Sequence, residues 1–244
     1  MDVRLGTPAR HLGAVGSTMT EAGSWAGQGA PHGAVVVAEH QTAGRGRHGR
    51  AWTAAPGESL LFTVVLRPEL EPSQLGLVPL AAGLGVAEAV AAQGVAARIK
   101  WPNDVRVDGR KLAGVLAEAS HGPGGAVVLL GVGLNVRQSV FPDELAATSI
   151  RLETGAPAQP LDLLSPVLRA IQRRLDHAWT NPASLVAAVE ARLEGVGQRV
   201  VVRDPSTRAV LAEGQALGLA ADGALRVATE GGERAVYAGE TTLS

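Results

Sequence analysis

Lysine survives at two positions only, Lys100 and Lys111, among 22 basic residues, and both fall in the stretch Lys100-Trp-Pro-Asn-Asp-Val-Arg-Val-Asp-Gly-Arg-Lys111. Elsewhere arginine carries the positive charge. An ammonium is a compact point charge and a guanidinium a planar fork of donors, so a retained lysine suits contact with one phosphate or carboxylate oxygen. Chance retention in an Ala-, Gly- and Arg-rich composition is the plain alternative. Upstream, Gly44-Arg-Gly-Arg-His-Gly-Arg50 places Arg45, Arg47 and Arg50 on glycine-rich backbone. Glycine loses the most entropy on ordering and like charges repel, so the loop is expected to close when an anion neutralises it, as a lid over a phosphorylated ligand. A solvated Arg-Gly loop or an RNA-contacting segment has the same composition. The formal Gly-x-Gly-x-x-Gly match is not a dinucleotide fingerprint, because Ala51-Trp-Thr-Ala-Ala-Pro-Gly57 follows it and offers no helix N-terminus to a pyrophosphate.

Trp101-Pro102-Asn103-Asp104 leaves a strand end directly after Lys100. Proline sets the exit angle, and Asn103 and Asp104 are expected to orient Lys100 and to reach ribose hydroxyls or a magnesium ion. A type I turn with proline at its second position has the same sequence. Gly131-Val-Gly-Leu-Asn135 is a second strand end, where missing side chains would admit a planar ligand to the backbone and Asn135 would donate to it.

These residues need elements to hold them. Gly33 to Glu39 and Ser59 to Leu66 are β-branched apolar runs that predict buried strands, with further strands at 98–101, 105–107, 112–118 and 126–134 and a hairpin turn at Asp108-Gly109. Gln74 to Gln93 has the length and Leu/Ala content of a helix. Leu164, Leu168, Ile171 and Leu175 recur at helical spacing between Leu161 and Trp179, and Pro182 to Leu193 predicts another helix closed by Gly195. From about Gly197 short alternating segments at 199–203, 211–217, 225–229 and 235–238, separated by Gly and Asp, predict a small β-barrel. The expected class is α+β, a mixed sheet with flanking helices over residues 1–195 and a small β domain over residues 196–244.

Composition excludes several functions. A chain of 244 residues, 46% hydrophobic with net charge −1, is globular and long enough for one large domain and a small one. Zero cysteines remove a disulfide framework, a thiolate zinc site and a cysteine nucleophile. The six histidines, at 11, 32, 40, 48, 121 and 177, lack the His-x-x-x-His spacing of zincins, so no protein-ligated metal is expected. The N-terminus has no charged start followed by an apolar core and no run reaches transmembrane length, which predicts a soluble cytoplasmic protein that binds no membrane. Near-neutral charge opposes a dedicated nucleic-acid binder.

Together the motifs resemble the biotin protein ligase family. Gly-Arg-Gly-Arg-x-Gly-Arg, Lys-Trp-Pro-Asn-Asp-Val, Lys-Leu-Ala-Gly-Val-Leu (111–116) and Gly-Val-Gly-Leu-Asn-Val (131–136) occur in that family's order, with Ser17-Thr18 and Gln41 upstream. The resemblance runs from about Gly13 to the C-terminus. It implies a catalytic domain like those of class II aminoacyl-tRNA synthetases and biotin ligases, and a C-terminal SH3-like β-barrel. It implies ATP-dependent activation of biotin to biotinoyl-5′-AMP, then transfer to a lysine of a biotin carboxyl carrier protein domain in acetyl-CoA carboxylase or a related enzyme. By the same resemblance Lys100, Arg45 and Arg47 are catalytic. Biotin is held by Ser17, Thr18, Met19, Gln41, Arg45, Gly46, Arg47, Lys100 and Gly114. ATP is held by Arg47, Arg50, Trp52, Asn103, Asp104, Lys111 and Asn135, with Mg2+ carried mainly by phosphate oxygens.

One departure is Met19, where the family usually has asparagine; it removes a polar contact to the ureido head unless a backbone group supplies it. Only 16 residues precede Ser17, too few for the N-terminal helix-turn-helix of the repressor-type members, so the expectation is a monofunctional enzyme that binds no DNA, as a monomer or homodimer. A lipoate ligase shares the activation chemistry, but its Arg-Arg-x-x-Gly-Gly-Gly segment has no counterpart here. An RNA-binding module using the Arg-Gly loop is opposed by the near-neutral charge and few aromatics, Phe 2, Tyr 1 and Trp 4.

Overall fold

A computed structural model describes residues 4–68, 72–122 and 125–243. Strand β1 (Ala9–Val15) turns through Ser17, whose Oγ accepts a hydrogen bond from Met19 N at 3.3 Å, into helix α1 (Thr18–Gly27). That serine N-cap fixes the helix start. Next come β2 (Val35–Gln41), β3 (Ser59–Leu66), α2 (Leu77–Ala91), β4 (Arg98–Lys100), β5 (Asp104–Val107), β6 (Arg110–Gly122) and β7 (Gly125–Asn135). They form a seven-stranded sheet in the order β1-β2-β3-β7-β6-β5-β4, parallel between β1 and β2 and antiparallel elsewhere. Asp108 and Gly109, at φ 47° and 75°, make the tight turn between β5 and β6 that their sequence predicts.

β3 is buried at every position because both faces of the sheet are covered there. Leu60, Phe62, Val64 and Leu66 join the main core with α2, while Val65 packs with Ala22 and Ala26 of α1. After β7 the chain forms α3 (Ile150–Thr154), α4 (Leu164–Thr180) and α5 (Pro182–Glu190). The stretch Gln74–Ala91 is long and apolar enough to cross a membrane by composition, yet 67% of it is buried inside the protein. It is a core helix, wedged between the sheet and α4.

Strands β8 (Arg199–Arg203), β9 (Val210–Leu219), β10 (Leu225–Thr229), β11 (Gly232–Val236) and β12 (Glu240–Leu243) form a separate antiparallel sheet in the order β11-β10-β9-β8-β12. The expected barrel does not close. β11 and β12 stay as edges, and β11 exposes four of its five residues, so it has no apolar face to offer a closing partner. Bulges after Val202 and Arg226 curve the sheet instead. The main core continues into this sheet through Val200, Val202, Ala212 and Leu225. Polar contacts reinforce the seam: Trp101 Nε1 donates to Gly223 O at 3.0 Å, and Leu219 N donates to Glu190 Oε1 at 2.6 Å.

Two glycines of α2 differ in what surrounds them. A Cβ at Gly85 would lie 2.7 Å from the backbone of Ile171 in α4, whereas one at Gly83 would meet only Val105 Cγ2 at 3.9 Å. Gly85→Ala is therefore expected to cost about 1–3 kcal/mol by forcing the helices apart. Gly83→Ala should be neutral or gain up to about 1 kcal/mol from helix propensity. Urea unfolding of the two variants distinguishes them, and equal midpoints would mean that the crossing is not fixed by Gly85.

Candidate active site

Gly133 of β7, Gly114 of β6 and Asp104 of β5 are register partners, and they form a row across the sheet between the core residues Ala113, Val115, Val132 and Leu134. With no side chain on the two glycines, Trp52 lies directly on the backbone. A Cβ at Gly133 would fall 2.5 Å from the indole Cε2, and one at Gly114 would fall 3.0 Å from Cζ3 and 3.1 Å from Lys111 Nζ. The planar group that the glycines admit is thus the protein's own tryptophan. Its Nε1 is buried with no hydrogen-bond partner. Beside it Lys111 Nζ is 5.6 Å from the ring centroid and 2.7 Å from Asp104 Oδ1.

At one end of this floor the start of α1 presents Ser17, Thr18 and Met19, all buried, opposite Gln41 at the end of β2. Gln41 Oε1 accepts from Thr18 N at 2.7 Å and from Thr18 Oγ1 at 2.9 Å, and Thr63 Oγ1 donates to Thr18 Oγ1 at 2.9 Å. Spending the Gln41 oxygen on Thr18 leaves its amide nitrogen as the donor at that end.

The arginine loop is a hydrogen-bonded turn in its own right. Gly46 N donates to Arg50 O at 2.7 Å and Trp52 N to Gly44 O at 3.0 Å, while His48 and Gly49 take left-handed backbone, φ 56° and 74°. The order expected of a bound anion comes in part from protein acceptors. Arg45 Nη2 donates to Glu118 Oε2 at 3.3 Å, Arg47 Nη1 donates to Asn103 Oδ1 at 3.1 Å, and Arg50 pairs with Glu240 of β12. Glu240 also lies 3.5 Å from Arg208. Burial pushes the Arg47 guanidinium below its usual value; Asp104 opposes this and Arg50 adds to it. His48 is lowered by desolvation and then by Arg47 and Arg50.

Lys100, half-buried at the end of β4, has no carboxylate within ion-pair distance among the described residues. Its ammonium is pushed below the usual lysine range, first by burial and then by Arg106, with Lys111 adding and Asp104 and Glu194 opposing. It lines both the main cavity, of about 460 Å3, and a second of about 290 Å3 bounded by Arg106, Glu194 and Thr241.

The main cavity brings together every residue that the sequence singled out: Ser17, Thr18, Met19 and Gln41 at one end, the lid with Arg45, Gly46, Arg47, Arg50 and Trp52 above, and Lys100, Asn103, Asp104, Lys111, Gly114 and Asn135 around the sheet. Two of them act differently from expectation. Asn135 donates to Thr148 O at 3.0 Å and Lys111 O at 3.4 Å and accepts from Gln138 Nε2 at 3.2 Å, so its amide braces the chain after β7. Asn103 donates to Val115 O at 2.7 Å and steadies Arg47. Sequence reading missed Glu118, Glu240 and the segment with Phe141 and Ala147, which also border the cavity or the lid. Nothing local marks those carboxylates, because their partners lie far away along the chain. Among the described residues no group of three His, Asp or Glu could hold a metal ion.

A cationic loop over a cavity with a polar end and an unpaired ammonium is the equipment of a ligase that joins an acid to a nucleotide. Residues 14–135 match the biotin/lipoate A/B protein ligase family and residues 195–241 the biotin protein ligase C-terminal domain. The biotin--[acetyl-CoA-carboxylase] ligase of Mycobacterium tuberculosis is 40% identical over 204 residues, covering 80% of this chain and 74% of that protein. The bifunctional ligase/repressor BirA of Bacillus spizizenii is 31% identical over 94% of this chain and 72% of its own length. The biotin protein ligase of Aquifex aeolicus, solved in complex with biotin and ATP, superposes with a TM-score of 0.84 at 29% identity, covering 98% of this chain and 99% of that one. The chain belongs to the biotin protein ligase family.

The lid's anchorage to β12 is testable. Glu240→Gln should free Arg50 and loosen the turn, so that trypsin cleaves after Arg45, Arg47 or Arg50 several-fold faster, with the melting temperature nearly unchanged. Unaltered cleavage would show that the turn stands without Glu240.

Proposed function

We propose that this chain activates biotin with ATP and passes the biotinoyl group to a lysine of a biotin carboxyl carrier domain in a carboxylase. The observation that carries this reading is one cavity that joins a polar end, a cationic lid and two lysines. A carboxylate and a triphosphate repel each other, so bringing them into contact requires fixed positive charge. A carboxylate oxygen attacks the α-phosphorus, the bond to the β-phosphate breaks and pyrophosphate leaves. The neutral amine of the carrier lysine then attacks the acyl carbon, forming the amide, releasing AMP and losing a proton.

In this reading Ser17, Thr18 and Gln41 hold the ureido end. Arg45, Gly46 and Arg47 wrap the carboxylate and α-phosphate, and Lys100 bridges the two. Gly114 keeps the floor open. Arg50, Trp52, Asn103, Asp104, Lys111 and Asn135 shape the nucleotide side, the two asparagines by bracing. Mg2+ would accompany the triphosphate, on phosphate oxygens in the main, because two of the three cavity carboxylates, Asp104 and Glu240, already face Lys111 and Arg50, which leaves Glu144 alone. The reaction needs neither DNA nor a membrane, and we place the enzyme in the cytoplasm as a monomer or homodimer.

The deciding assay is exchange of labelled pyrophosphate into ATP with biotin, lipoate or octanoate. Exchange should depend on biotin and fall by more than a hundredfold in Lys100→Ala. Because the Lys100 ammonium loses its proton at lower pH than an ordinary lysine, the wild-type rate should decline early on the alkaline side. Lys100→Arg, which stays protonated, should be slower but lack that decline. Near-normal exchange in Lys100→Ala would overturn its assignment.

Arg47 reports on retention of the intermediate. Each charge-assisted hydrogen bond contributes roughly 1.5–3 kcal/mol, so Arg47→Gly should release biotinoyl-AMP about ten to a hundred times faster. Released adenylate acylates exposed lysines. A streptavidin blot with a carrier domain and excess serum albumin should therefore change from one band to diffuse albumin labelling. The idea fails if the variant still makes adenylate yet labels albumin no more than wild type.

A further inference from the structure

Met19 gives the head end of the cavity two chemically different walls. It is 3% exposed and lines the cavity, and its Sδ and Cγ lie 2.7 and 3.3 Å from where a Cβ at Gly131 would stand. The glycine thus makes room for the thioether against the sheet. Beside it in the same cavity stand the polar groups of Ser17, Thr18 and Gln41. The backbone donors beside the thioether are already engaged, Met19 N with Ser17 Oγ at 3.3 Å and Thr18 N with Gln41 Oε1 at 2.7 Å. A thioether donates no hydrogen bond and accepts only weakly. The wall at Gly131 therefore suits an apolar or sulfur-bearing ring edge and leaves a strong acceptor unsatisfied.

Resting on biotin as the activated acid, we propose that Met19 is a specificity-determining residue: it receives the thioether edge of the biotin ring and selects the reduced ring over its S-oxide. A sulfoxide oxygen is a strong acceptor. Placed against Met19 and Gly131 it would be buried without a donor, which costs roughly a ten- to hundredfold factor in selectivity. Desthiobiotin, which keeps the ureido group and lacks the sulfur, presents a hydrocarbon edge to the same wall and escapes that penalty.

The test compares kcat/KM in pyrophosphate exchange for biotin, desthiobiotin and biotin sulfoxide. Wild type should use the sulfoxide at least about tenfold less well than desthiobiotin. Met19→Leu should retain that ratio. Met19→Gln, similar in length but bearing an amide donor, should narrow it by about tenfold, mainly by raising sulfoxide use. The proposal is overturned if Met19→Gln alters all three substrates by the same factor, or if wild type uses the sulfoxide as readily as desthiobiotin. The latter comparison needs no variant, so a misfolded Met19→Gln does not shield the idea. If wild type exchanges pyrophosphate with none of the three acids, biotin activation itself is refuted; robust exchange with biotin and a flat sulfoxide ratio refutes only the role of Met19.

Discussion

Trp52 rests on bare backbone, and the rest of the site depends on that contact. A side chain at Gly133 would overlap the indole, and one at Gly114 would displace both the indole and the Lys111 ammonium. The same tryptophan closes the stem of the lid, through its backbone N–H to Gly44 O, and a Cβ at Gly44 would sit 2.3 Å from Trp52 O. Floor and lid are therefore joined at one residue. The arginines between Gly44 and Trp52 can change partners while the ends of the loop stay fixed, so closing over a ligand orders only a few residues and costs little entropy.

What the arginines touch sets how readily they exchange. The Arg45–Glu118 pair has side chains 44% and 43% exposed, and such pairs are worth about 0–1 kcal/mol. On the proposed function, a phosphate oxygen in a closed site would make a shorter, less screened bond and displace Glu118 at small cost. Arg47 is different. Its hydrogen-bond acceptor is the neutral Asn103 amide, and burial already disfavours its charge. Desolvation with no anion in contact is the condition in which an incoming phosphate gains most, so on the proposed function Arg47 would be the loop cation that gains most from a bound phosphate.

Elements with one dominant physical cause were legible in the sequence. Ser59–Leu66, Arg199–Arg203 and Leu225–Thr229 read as strands from uninterrupted or alternating apolar residues, and Asp108-Gly109 read as a hairpin because few other pairs accept two positive φ angles. β1 and α1 were not foreseen: β1 is an exposed edge without alternation, and α1 is short and glycine-containing, held by its serine cap and its packing on β3. The open C-terminal sheet looked like a barrel because alternation reports burial of one face and not whether two edges meet. The site motifs were legible as a set in that their residues line one cavity, although the group that lies on the glycines is Trp52. Asn135 was read as a ligand donor because a strand-end asparagine looks alike whether it faces a ligand or braces Thr148 O.

The C-terminal sheet carries no group with its own chemistry in the cavity floor, yet it controls the medium around Lys100. Thr241 Oγ1 donates to Trp101 O at 3.3 Å, Trp101 Nε1 donates to Gly223 O, and the second cavity behind Lys100 is walled by Val200, Ala216, Leu225 and Leu243. Those contacts hold the turn after β4. Burial is the largest cause of the depressed Lys100, ahead of Arg106, and residues of this sheet line the cavity beside it. A charge kept partly dry interacts more strongly with an approaching carboxylate and phosphate than one in open solvent. The sheet thus reaches the cavity at two places, beside Lys100 through Thr241 and at the arginine loop through Glu240.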